Sequence, residues 1–185
     1  MNPQAVAIRT IIDFLIPLLG PNDSEHHFVI DSRGKTISHL IGIDDEVDTR
    51  ILPNNMLYRR VTVHQHPLKY GAAFPISGPD IMNALICREK ASFVVGIDGI
   101  HRWTTRSPRP DEYAHYEKLM RDAETLEDRA AVRAGWRGGK NVSPHVYRSL
   151  PPAVTAEIYA LVTTYPEFVT YTILPLNASP AELLP

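Results

Sequence analysis

The sequence predicts an α+β fold, a small mixed β-sheet flanked by helices and followed by a mainly helical C-terminal extension. Three observations carry this. Apolar residues recur at helical spacing near the start of the chain. Short apolar or alternating β-branched runs, each closed by turn residues, follow one another as far as Thr104. From Pro110 onward the composition becomes charged and helix-forming. The expected organisation is therefore a core over residues 1–109 and a helical extension over residues 110–185 packed on it.

Ile8, Ile11, Ile12, Leu15 and Leu19 share one helical face, so residues 4–19 form the first predicted helix, stopped by Gly20-Pro21-Asn22-Asp23. His27 to Asp31 and Thr36 to Ile43 read as strands joined by the hairpin turn Ser32-Arg33-Gly34-Lys35. Residues 44–60 combine an acidic loop (Asp44, Asp45, Glu46, Asp48) with a segment suited to a short helix. Val61 to His66 is β-branched and alternating, a strand that ends at Pro67. After a loop over residues 67–78, Ser77-Gly78-Pro79-Asp80 has the form of a helix start, with Ser77 as N-cap and Pro79 in the first turn, and the helix runs to about Arg88. Ser92 to Ile97 and Ile100 to Thr104 read as a hairpin with Asp98-Gly99 as a candidate type I′ turn. Asp111 to Ala134 reads as a charged helix broken at Trp136-Arg137-Gly138-Gly139. Pro151 to Tyr165 reads as another helix and Phe168 to Leu174 as a last strand.

Composition narrows the functional classes. The 185 residues are 44% hydrophobic and 22% charged, enough apolar material for a core that needs no staple. A formal charge of −2 offers no basic field for phosphates, so nucleic-acid binding is disfavoured. Cys87 is the sole cysteine, which excludes an intramolecular disulfide and a cysteine zinc cluster; any metal must be held by His and carboxylate. Cys87 itself reads as a small buried hydrophobe on a helix. The apolar stretch Ala5 to Leu19 is interrupted by Arg9, Asp13 and Pro17, is too short to span a bilayer and lacks the features of a signal peptide, so a cytoplasmic protein is expected. Gly135-Trp136-Arg137-Gly138-Gly139-Lys140 lacks the spacing and preceding strand of a phosphate loop and reads as a turn.

The chemistry centres on His64-Gln65-His66-Pro67 and Ser77-Gly78-Pro79-Asp80. Strand residues two apart point to one face, so His64 and His66 present two imidazoles side by side at a strand end. Asp80, in the first turn of the next helix, can add a carboxylate. Two His and one carboxylate leave a fourth tetrahedral position for water, the layout of a catalytic zinc site. Glu25, at the start of the first strand, is the leading candidate for general base, with Glu46 as its rival. Ser77 is the candidate donor to a developing oxyanion. Its bland role is helix capping with Asp80, and the two are compatible. His26, His27, His39 and His101 are candidates to support the ligands rather than to be ligands.

Glu25, His64-x-His66-Pro67 and Ser77-x-x-Asp80 together resemble the JAMM signature of JAB/MPN metalloproteases. The stretch from Ser24 to Asp80 is most similar to the RadC-like branch. The resemblance spans roughly residues 22–105. Ten residues separate His66 from Ser77, more than the pattern usually carries, and the loop Leu68 to Ile76 must absorb the excess. It implies a JAB/MPN-like (cytidine-deaminase-like) sheet, zinc held by His64, His66 and Asp80, Glu25 as base and Ser77 as oxyanion stabiliser. It further implies hydrolysis of peptide or isopeptide bonds in a protein substrate such as a ubiquitin-like conjugate. The rivals are a non-catalytic JAB-fold module that binds protein or DNA, and a metal-dependent nuclease, against which the acidic charge argues.

Overall fold

The computed structural model describes residues 2–21, 23–42, 47, 49, 52–68, 75–137 and 144–184. The acidic run Asp44, Asp45, Glu46 and Asp48, most of the loop after Leu68, and Gly138-Gly139-Lys140 lie outside the described residues.

The chain opens with helix α1 (Pro3–Leu15), capped by Asn2, whose side-chain oxygen accepts from the Gln4 and Ala5 N–H groups. The predicted helix runs four residues longer. Pro17 lacks the N–H that an α-helix needs, and the chain tightens into a 3₁₀ turn at Ile16–Leu18. Strands β1 (His26–Ile30) and β2 (Thr36–Ile41) follow as an antiparallel hairpin. Its turn is held by the Asp31 carboxylate, which accepts from the N–H groups of Arg33 and Lys35. Gly34 sits at φ +81°, and a Cβ there would lie 2.5 Å from the Pro3 carbonyl oxygen, so only glycine fits between hairpin and helix.

A short helix α2 (Asn54–Leu57) precedes strand β3 (Val61–Gln65). Helix α3 (Gly78–Ile86) then crosses over to strand β4 (Ala91–Gly96), which lies parallel to β3. Strand β5 (Gly99–Thr105) returns antiparallel, with Gly96 opposite Gly99. The turn is thus Ile97-Asp98, one residue earlier than expected. Neither residue has positive φ, so it is not the type I′ turn that Asp98-Gly99 suggested.

The expected single charged helix is two, α4 (Tyr113–Glu124) and α5 (Leu126–Arg133), interrupted at Thr125. Helix α6 (Pro144–Thr164) begins earlier than expected and contains Pro151 and Pro152 in its interior, although prolines usually open helices. Strand β6 (Val169–Leu174) closes the order by pairing with β5.

The fold is α+β, with one six-stranded mixed sheet in the order β2-β1-β3-β4-β5-β6. One face packs on α1 through Ile8, Ile12, Leu15, Ile30, Val63, Phe93 and Val95. The other packs on α3 to α6 through Ile81, Leu85, Trp103, Leu119, Leu126, Ile158 and Phe168. Strands with both faces covered read as near-continuous apolar runs, as SFVVG in β4 does. Among the described residues no helix is long and apolar enough to cross a membrane.

Candidate metal centre

Strand β3 is central in the sheet, and all five of its residues are buried. Its alternation decides the site. Val61 and Val63 face α1, whereas Thr62 and His64 face α3. His66 follows directly and extends the β3–β4 pairing, its N–H donating to the Val95 carbonyl at 3.1 Å. The loop then leads to Ser77, the N-cap of α3, and to Asp80 at the third helical position.

This places four sequence-expected groups near one another. His64 Nε2 lies 3.2 Å from Asp80 Oδ1, and His66 Nε2 lies 3.3 Å from Asp80 Oδ2. Glu25 precedes β1, which pairs antiparallel with β3 in the register His27 opposite His64. Continued outward, that register sets Glu25 against His66. Ligand atoms of Glu25, His64 and His66 all lie within 4.8 Å of one another.

Capping shapes Asp80. The Ser77 N–H donates to Asp80 Oδ2 at 2.8 Å and the Ser77 hydroxyl donates to the same oxygen at 2.6 Å. The Asp80 N–H donates to Ser77 Oγ at 3.2 Å, completing a capping box. The Ser77 proton is therefore committed to Asp80. A carboxylate from the C-terminal region also reaches this rim, since Glu127 Oε1 accepts from the Gly78 N–H at 3.1 Å.

Charge follows from these contacts. Burial opposes ionisation of Asp80, but the adjacent His64 and His66 rings hold its carboxyl well below the usual range. Burial likewise works against a charged His66, yet the bond to Asp80 and the nearby Glu25 raise it to about 9. His66 Nδ1 faces the Pro75 carbonyl at 2.8 Å, which leaves Nε2 as the atom presented to the site. His27 stacks on His64 at 5.3 Å, and burial, with His64 alongside, lowers it to about 3, so it is neutral.

Glu25, His64 and His66 form a group of donors that could hold a metal ion. His64 is 1% exposed; its Nε2 stands 3.2 Å from Asp80 Oδ1, and its Nδ1 has no hydrogen-bond partner among the described residues. Asp80 meets the two rings with different oxygens, Oδ1 toward His64 and Oδ2 toward His66, at ion-pair distance, and stands outside the group of donors that lie mutually within 4.8 Å.

The remaining histidines divide. Of His26, His27, His39 and His101, only His27 touches His64. His26 and His39 meet each other across β1 and β2, with ring nitrogens 3.0 Å apart. His101 lies on β5, bonded to Asp98 and to the Tyr171 hydroxyl. Cys87 is half-buried at the end of α3, where burial and Glu89 push its thiol up to about 11, unlike a nucleophile. Glu46, the rival base, lies outside the described residues. Sequence reasoning passed over Gln65, treated as the spacer between two histidines. Its fully buried amide bonds the backbone of Ser24 and His26, and a lone glutamine in a buried β-branched run was the available signal.

Comparison of the chain with family models, with curated proteins and with solved structures finds no match.

Proposed function

We propose that the chain is a zinc-dependent hydrolase of the JAB/MPN kind that cleaves peptide or isopeptide bonds. The observation that supports it is the convergence of His64 Nε2, His66 Nε2 and the Asp80 carboxylate at 3.2–3.3 Å, with Glu25 beside them. His64, His66 and Asp80 hold the ion in this reading. When bound, zinc supplies Lewis acidity, which polarises a carbonyl and acidifies water at neutral pH.

The protein's own groups do the rest. Glu25, 7% exposed, takes a proton from the attacking water and later delivers it to the departing amine nitrogen. The Pro75 carbonyl and the stacked, neutral His27 keep the two ligand rings oriented. Ser77 holds Asp80 in place; turning its hydroxyl toward a developing oxyanion costs the bond it makes to Oδ2. A ubiquitin-like conjugate is the substrate class that the JAMM resemblance suggests.

A second reading, a non-catalytic binding module, is favoured by one observation: His66, raised to about 9, and Asp80 form an ion pair directly with one another. Cleavage of isopeptide-linked ubiquitin-like chains, followed with and without chelator, separates the two. The hydrolase reading expects cleavage that stops on chelation, returns with zinc and is absent in Glu25→Gln. Cleavage indifferent to chelator, or equal in Glu25→Gln, overturns it.

A further inference from the structure

We infer that Gln65 is a positioning residue for Glu25, so that the strand presenting His64 and His66 also sets where the candidate base stands. This rests on the reading of the cluster as a metal centre. The β1–β3 ladder ends at the pair His27 and His64. Glu25 and His26 lie beyond it, still paired to β2 through His26 opposite Ile41 but past the ladder on the β3 side. There Gln65 takes over. Its Oε1 accepts from the His26 N–H at 2.8 Å, and its Nε2 donates to the Ser24 carbonyl at 2.8 Å and, at 3.5 Å, to the Leu18 carbonyl. The orientation of the amide is set by its partners, since an N–H can only donate and a carbonyl can only accept.

The carboxamide thus grips the backbone on both sides of Glu25. On the opposite edge, the Gly42 N–H donates to the Glu25 carbonyl at 2.8 Å. Gln65 is 0% exposed, and alternation turns it to the α1 face while His64 turns to the α3 face. It therefore holds the backbone on either side of Glu25 without entering the cluster. A carboxylate whose oxygen stands within 4.8 Å of both ligand nitrogens adds to the hold on any cation there, so displacing it weakens cation binding.

A double-mutant cycle in cobalt(II) affinity tests this, using Gln65→Met, which keeps the length without the bonds, and Glu25→Ala, singly and together. Circular dichroism and unfolding temperature first establish that each variant is folded. Where Gln65→Met is not, Gln65→Glu takes its place, because it still accepts from His26 but sets a carboxylate against the Ser24 carbonyl. The expected result is that Gln65→Met weakens cobalt binding by about 10- to 100-fold and has little further effect once Glu25→Ala is present. An equal loss in both backgrounds, or no loss in either, overturns the positioning role while leaving the metal reading intact. A wild-type protein that binds no cobalt overturns the metal reading, and this inference with it.

Discussion

Glu89 lies between α3 and β4 with 3% of its surface exposed, and burial lifts its carboxyl to about 8 even though the Thr62 hydroxyl donates to it at 2.8 Å. Its folded pKa thus exceeds the ordinary value of 4.5. Folding takes up a proton across that window, so the stability is full below pH 4.5 and declines as pH rises through about 8. Denaturant unfolding followed from about pH 5 to 8.5 is expected to show stability falling with pH in the wild type and a flatter profile in Glu89→Gln. Identical slopes would contradict the assignment. Nothing in the local sequence announces Glu89, because its state depends on a strand pair formed around it. His64 and His66 were legible, since two residues on one strand share a face whatever lies beyond. Gln65 was not, because its partners stand 41 and 39 positions away and are peptide groups with no side-chain signature.

In helix α3 one capping box both starts the helix and orients the Asp80 carboxylate toward His64 and His66. Ser77→Ala removes the acceptor for the Asp80 N–H and a donor to Asp80 Oδ2. The cap alone is worth about 1 kcal/mol, and loss of a group that orients a ligand weakens metal binding by about 10- to 100-fold. Both changes are expected together, measured by thermal unfolding and by competitive zinc titration. A loss of stability with unaltered zinc affinity would show that the cap serves the helix alone. The start of α3 was readable because Ser-x-x-Asp and Pro79 are local signals. The bounds of the other elements shifted where local signals competed with packing. Pro17 shortened α1, the β4–β5 turn moved to Ile97-Asp98, and α6 accommodates Pro151 and Pro152 within its length.

At the scale of the molecule, the sheet is covered on both faces, and the residues after Pro110 supply helices to one face and an edge strand to the sheet. The α+β class was legible from periodicity, but the place of β6 beside β5 was not, since strand order is a long-range property. This architecture brings Glu25, His64, His66 and Asp80 to one end of the central strands from segments up to 55 positions apart. Zinc content of the purified protein by elemental analysis, compared with folded His64→Ala, tests whether that convergence is a metal centre. About one zinc per chain is expected in the wild type and background levels in the variant. A wild-type protein free of zinc after incubation with the ion, or a His64→Ala protein that retains it in full, would contradict it.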